Sequence, residues 1–153
     1  GLEALKEQRA EQVAAFERWA AMGDWYAFHE NHYAWWAYPV NRRSGYGERY
    51  KLTPEAVEAL QHDSAFLALW RRGVELGCLA WGWSLAEGRY IDHPQPQQAW
   101  AQWPVRLYKM AVSAKVLNQP DVWGQLCLLA DDLRAKGEVF MYDGGDLNWA
   151  FER

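Results

Sequence analysis

The spacing of apolar residues along the chain predicts a series of amphipathic helices. The first covers residues 2–21, where apolar side chains recur at roughly helical intervals between charged ones: Leu2, Leu5, Val13, Phe16 and Ala20. Its first half is strongly charged, and we expect that half to project from the body. Gly23 ends the helix, and Asp24 is expected to cap a second helix over residues 25–33. An aromatic block, AWWAYPV, follows and is stopped by Pro39.

A loop and a well-marked helix start come next. Residues 41–51 contain two glycines, a serine and four basic residues, which predicts a loop. Thr53 supplies a cap, Pro54 suits the first helical position and Glu55 complements the helix dipole. A helix is therefore predicted over residues 55–61.

A longer apolar helix is predicted over residues 65–81. Ser64 is its expected cap, and the helix contains Gly73 and Gly77 one turn apart. Glycine costs a helix about 1 kcal/mol relative to alanine, so its presence here needs an offsetting gain. We expect a close helix crossing or a bulky aromatic neighbour at this pair.

The second half of the chain is predicted to contain a loop, two helices and a tail. Residues 84–98 are rich in Gly, Pro and Gln and suit a loop. Apolar stripes predict helices over residues 104–117 and 121–134. In the irregular tail, residues 138–153, apolar side chains are expected to dock on the body. The whole is predicted to be all-α, one compact domain over residues 1–153 with about five to seven helices and a loop-rich aromatic segment.

Composition narrows the class of protein. The chain has 153 residues, half of them apolar, with 11 tryptophans, so it can bury a substantial core. The formal net charge is −4, which argues against coating nucleic acid by bulk electrostatics. Cys78 and Cys127 lie in apolar helical patterns and are expected to be buried free thiols, with one disulfide as the alternative. No long apolar run occurs, so we expect a soluble, cytoplasmic protein with no membrane partner.

Residues 31–39 carry a family resemblance. The segment 33–39, YAWWAYP, follows Asn31 and His32. It resembles the signature of the opioid growth factor receptor conserved region, in which Asn-His precedes Tyr-Ile-Gln-Trp-Leu-Phe-Pro. Tyr33, Trp36, Tyr38 and Pro39 match the spacing of that signature, whereas the Asn-His pair sits one residue closer.

Three further landmarks follow in the family's order, so that the resemblance spans roughly residues 25–133. They are Leu52-Thr53 at a helix start, the segment 81–85 (WGWSL) at a helix end, and Trp103 before Arg106. The resemblance implies an α-helical domain, present here as a short stand-alone relative without the repeat-bearing tail. Animal members of the family are tied to an enkephalin peptide and growth control.

Aromatic residues at helix ends lie next to the basic loop, which suggests a pocket. We expect His32, Trp36 and Tyr38 to form its floor. Its basic rim would contact a peptide or a small anionic ligand, so the predicted ligand-binding residues are His32, Trp36, Tyr38, Arg42, Arg43, Tyr46, Trp103 and Arg106. Lys109 lies one turn after Arg106 and could face the same anion. The favoured function is a non-enzymatic binding or interaction module, which could also engage a protein partner.

Two alternatives stay open at this point. His29 and His32 would share a helix face and could ligate a metal in a hydrolase, although no H-E-x-x-H pattern is present. The loop over residues 41–51 interleaves arginine with tyrosine and could bind single-stranded nucleic acid. No catalytic residue, metal or cofactor is assigned, because nucleophile and phosphate-loop patterns are missing from the sequence.

Overall fold

The computed structural model describes residues 1–153 as a mostly helical chain. Seven α-helices alternate with two short hairpins and end in a 3₁₀ turn. In order they are α1 (Leu2–Met22), α2 (Trp25–Glu30), α3 (Ala34–Ala37), α4 (Pro54–Gln61), α5 (Ser64–Leu79), β1 (Trp83–Ser84), β2 (Arg89–Tyr90), α6 (Pro104–Val116), α7 (Pro120–Ala135), β3 (Met141–Tyr142), β4 (Gly145–Asp146) and the 3₁₀ turn Asn148–Phe151. None of the helices combines the length and the apolar character needed to cross a membrane.

Two helix pairs organise the core. Helix α1 packs most extensively on α5, and α6 packs most extensively on α7. One continuous apolar cluster joins both pairs and includes the completely buried Trp70, whose Nε1 donates to Ser113 Oγ at 2.9 Å. Cys78 and Cys127 are buried free thiols, as predicted, and burial raises the pKa of each.

The first half of α1 lies against the body and does not project. Leu5 and Arg9 are both buried. Arg9 donates to the carbonyl oxygens of Ala37 and Phe66, each at 3.3 Å, and its guanidinium lies 4.3 Å from the Phe66 ring centroid. The expectation of a projecting segment is therefore wrong, because one of its charged residues is an internal link to α3 and α5.

The second predicted helix is shorter than expected. It ends at Glu30, because Asn31 has extended backbone angles (φ −86°, ψ 150°). The aromatic block that follows forms the four-residue helix α3, which begins after Tyr33. The predicted span of residues 25–33 is thus wrong at its end, and this break changes the placement of His32.

Helix starts follow local capping chemistry. Thr53 Oγ1 accepts from the backbone N–H of Ala56 at 3.1 Å, as predicted. The cap of α5 is Asp63, whose Oδ1 accepts from Phe66 N at 3.0 Å, rather than the predicted Ser64. The same helix ends at Leu79, two residues before the predicted end.

The expectation of a purely helical fold misses two hairpins. Strand β1 pairs antiparallel with β2, and β3 pairs antiparallel with β4. Each strand has only two residues, which is too short for an alternating pattern to be visible in the sequence. In the tail, Leu147 and Phe151 dock on the body as predicted, whereas Trp149 is partly exposed.

The glycine pair in α5 makes room for aromatic neighbours. Gly73 faces Val13 and Phe16 of α1. A Cβ on Gly77 would overlap Tyr38 Oη and Met110 Cε. The close approach of neighbouring side chains to this pair, expected from the sequence, is present. An added Cβ would overlap its neighbours at Gly77 but would make only ordinary contacts at Gly73.

We expect Gly77→Ala to lower the free energy of unfolding by about 1–3 kcal/mol, because the buried Tyr38 and Met110 must shift. Gly73→Ala is the matched control, since its Cβ would meet Val13 and Phe16 at 3.6 and 3.8 Å, which are ordinary contacts. The control should keep or raise stability, by up to about 1 kcal/mol. Urea denaturation measures both, and equal stability of the two variants would contradict this account.

Candidate functional site

A cavity of about 530 Å³ lies between α3, the loop that follows it, α6 and the β3–β4 hairpin. We call it the basic pocket. Trp35 and Tyr108 are among its aromatic lining residues, and its charged lining residues are Arg42, Arg43, Arg106, Lys109 and Asp143. The volume is within the range of small-ligand sites.

The loop over residues 41–51 brings two arginines to this pocket. Its base is closed by Leu52 N donating to Val40 O at 2.9 Å. Within it, a tight turn pairs Ser44 with Gly47. Arg42 and Arg43 lie close to this base in the sequence. Both have exposed side chains, and both line the cavity.

Arg106 is held inside the pocket wall by backbone carbonyls. Its two terminal nitrogens donate to the oxygens of Phe28 and Asn31, both at 2.8 Å. The guanidinium also lies 4.2 Å from the ring centroid of Tyr33 and 4.9 Å from that of Trp103. These contacts satisfy carbonyls at the end of α2, where helices leave such groups without partners. Nε of Arg106 is buried and has no hydrogen-bond partner.

Lys109 is buried in the same wall, one turn further along α6. Lys109 is only 8% exposed, and its Nζ lies 4.9 Å from the Trp35 ring centroid. No carboxylate lies within ion-pair distance of it. Burial lowers the pKa of the Lys109 ammonium to about 8, because the charged form is removed from water without a compensating partner.

Unpaired positive charge is concentrated at this pocket. The chain has 16 lysines and arginines, and half of them form no ion pair. Four of those unpaired cations line the basic pocket: Arg42, Arg43, Arg106 and Lys109. Although the protein is acidic overall, four cations without carboxylate partners line the basic pocket, where a ligand could reach them.

The C-terminal tail completes the pocket. Tyr142, Asp143 and Leu147 contribute to its wall from the β3–β4 hairpin and the residue after it. The Arg42 guanidinium lies 4.3 Å from the Trp149 ring centroid, and Trp149 packs edge-on against Tyr108. These contacts join the basic loop, α6 and the tail.

Five of the eight predicted ligand-binding residues line the basic pocket. They are His32, Arg42, Arg43, Trp103 and Arg106. His32 is exposed, and its ring lies 5.9 Å from the Trp103 ring and 6.5 Å from the Trp35 ring.

Trp36, Tyr38 and Tyr46 do not line it. Tyr38 is completely buried and donates to Gly73 O at 3.0 Å, so it cannot form the pocket floor. Trp36 Nε1 donates to Gln12 Oε1 of α1 at 3.0 Å. Tyr46 packs edge-on against Trp35, with ring centroids 4.7 Å apart, and is not a lining residue of the pocket. The predicted floor is therefore wrong for Trp36 and Tyr38.

Several pocket residues were not among the predicted eight. Trp35, Tyr108, Tyr142 and Leu147 line the cavity. Lys109 also lines the cavity and is the one of these residues that the sequence indicates most clearly, because it interrupts an otherwise apolar stretch of α6 one turn after Arg106. The tail residues carry no comparable signal, since their placement depends on how the tail folds back.

The two histidines are separated in the structure. His29 Nε2 pairs with Gln97 O at 2.8 Å, whereas His32 lies beyond the end of α2 among the pocket tryptophans. The predicted shared helix face is wrong because the helix stops between them. Nowhere in the chain do three or more His, Cys, Asp or Glu side chains form a group that could hold a metal ion.

A second cavity, of about 560 Å³, lies between the start of α1 and residues 49–56. Its lining includes Arg49, Lys51 and Glu55, and Lys51 pairs with Glu48 at 3.4 Å. Its charged lining side chains are two cations and one carboxylate, whereas the basic pocket has four cations and one carboxylate.

Comparisons of the chain with family models, with curated proteins and with solved structures find no match.

We expect Lys109→Met to stabilise the fold at pH 7 by about 1–3 kcal/mol, because it removes a buried charge without a partner. The folded pKa is lowered to about 8 from 10.5, so the cost of Lys109 is complete below pH 8. It then declines as the pH rises from 8 to 10.5. The advantage of the variant should therefore shrink over that range.

Urea denaturation of both proteins at pH 7 and pH 10 measures this difference. Lys115→Met is the matched control, because Lys115 lies exposed on the same helix and also rests on a tryptophan, 4.0 Å from the Trp123 ring centroid. The control should change stability by less than about 0.5 kcal/mol. A Lys109→Met protein no more stable than wild type at pH 7 would show that the amine is not penalised by burial.

Proposed function

We propose that the protein is a non-enzymatic binding module that holds an anionic ligand, either a small molecule or an acidic group of a peptide, in the basic pocket. The observation that carries the proposal is Lys109, a buried amine without a carboxylate partner at the wall of a cavity. A buried charge is ordinarily paired, and the ligand would be the missing partner.

Desolvation of the pocket cations favours anion binding. Folding has already removed water from Lys109 and Arg106, so an anion that enters meets cations that are only partly solvated. Hydrogen bonds between charged groups are worth about 1.5–3 kcal/mol each. Arg42 and Arg43 at the exposed side can add planar guanidinium contacts, which match carboxylate and phosphate groups.

The aromatic lining supports binding of the rest of the ligand. Trp35, Trp103 and Tyr108 present apolar ring surface in the same cavity as the cations. Such a mixture of ring surface and a few convergent charges is typical of small-molecule and peptide sites. Two free buried thiols fit a cytoplasmic location for this activity.

The opioid growth factor receptor resemblance is part of the proposal only at the level of fold. Tyr33 and Tyr38, which carry it, are buried and donate to backbone carbonyls of Phe28 and Gly73. Their roles are therefore in packing. The expectation of a peptide ligand has separate support in the four unpaired cations.

Calorimetric titration and thermal shift test the proposal with inorganic phosphate, benzoate, an Asp/Glu-rich peptide and a single-stranded oligonucleotide. Lys109→Met should weaken the ligands that bind wild type by roughly tenfold or more, since it removes a charged hydrogen bond. Arg43→Ala should weaken them less, because Arg43 is exposed. Lys115→Met, outside the pocket, should bind as wild type does.

Two outcomes would contradict the proposal. One is that Lys109→Met and Arg43→Ala leave every measured affinity unchanged. The other is salt-dependent binding of the oligonucleotide alone, which would favour the nucleic-acid alternative through the loop over residues 41–51.

A further inference from the structure

Lys109 differs from the other cations of the basic pocket in having a nucleophilic form. An arginine stays protonated, whereas a lysine that loses its proton is a primary amine. Lys109 is also the only lysine that lines this cavity.

We propose that Lys109 condenses with the carbonyl carbon of an anionic aldehyde or keto acid bound in the basic pocket, forming an imine. The inference rests on the proposed anion site, because that site would hold the ligand's negative group. The amine, the cavity and the three arginines that line it are the observations that carry it.

Three features of the surroundings favour this reaction. No carboxylate lies close enough to hold Lys109 as an ammonium ion, and burial lowers its pKa to about 8, so part of it is the free amine near neutral pH. Desolvated lysines close to other cations are the usual nucleophiles for carbonyl ligands. Trp35, whose ring centroid lies 4.9 Å from Nζ, and Trp103 provide apolar ring surface in the same cavity for the rest of the ligand.

The step balances without an oxidant or a reductant. The Nζ lone pair forms a C–N bond to the carbonyl carbon, and the carbonyl oxygen takes up a proton to become a hydroxyl. The carbinolamine then loses that hydroxyl as water, with the second proton from Nζ, to leave C=N. His32 and Tyr108 line the same cavity and are groups that can relay these protons.

The arginines select the ligand class. Arg42 and Arg43 stand at the exposed side of a pocket in which Lys109 is buried. A carbonyl compound with an anionic group can therefore present its carbonyl to the amine while its charge faces a guanidinium. A neutral aldehyde lacks this second contact.

Reductive trapping of the wild-type protein tests the inference without requiring a variant to fold. Glyoxylate and neutral propionaldehyde are each added with cyanoborohydride at pH 7.5, and modified lysines are mapped by mass spectrometry. We expect glyoxylate to label Lys109 at least about tenfold faster than Lys115, which is exposed on the same helix. Propionaldehyde should show a clearly smaller preference for Lys109. Arg43→Ala, which keeps the Arg42–Trp149 contact, should slow labelling by glyoxylate more than it slows labelling by propionaldehyde.

The outcomes separate this inference from the proposed function. Oxalate, an anion without a reactive carbonyl, is titrated in parallel. If oxalate binds and Lys109 is not labelled faster than Lys115, the imine is overturned and anion binding stands. If both aldehydes label Lys109 with equal preference, the anionic ligand class is overturned. If glyoxylate labels Lys109 selectively and oxalate slows that labelling, both are supported.

Discussion

The contact between Arg106 and the end of α2 is the interaction on which the pocket side of the molecule depends. A six-residue helix has at least as many unsatisfied carbonyls at its end as it has internal hydrogen bonds. Arg106 supplies donors to Phe28 and Asn31, while Trp103 Nε1 donates to His29 O at 3.2 Å. The start of α6 thereby caps the end of α2, and the short helix α3 with Trp35 begins only a few residues later.

This arrangement also explains why a positive charge is tolerated inside the wall. The Arg106 guanidinium lies between the rings of Tyr33 and Trp103, and its charge faces carbonyl oxygens on one side. The Lys109 ammonium lies beside the ring of Trp35 but has no comparable hydrogen bonds to carbonyl oxygens. Two cations one turn apart thus differ in their surroundings: Arg106 is hydrogen-bonded to backbone carbonyls, whereas Lys109 forms no ion pair.

Much of the fold could be predicted from local patterns, and the failures have a common physical origin. The cap at Thr53 was predictable because a side chain and a backbone N–H three residues apart determine it. Tyr38 was misplaced because its burial depends on space above Gly77 in α5, almost forty residues away. The hairpin strands could not be predicted, because two residues show no periodicity. For the pocket, composition indicated the basic loop, but the contribution of the tail depends on contacts between distant segments.

The contact between Arg42 and Trp149 has a consequence for the order of events in folding. These residues are more than one hundred positions apart, and together with Tyr108 they join three segments of the chain. Contacts of such sequence separation form slowly, because the entropy of closing the long intervening loop is lost before the contact is gained. During synthesis the arginine loop leaves the ribosome long before the tail. The part of the pocket wall supplied by Tyr142, Asp143 and Leu147 is accordingly the last to be synthesised, so the cavity is complete only after the tail has folded back.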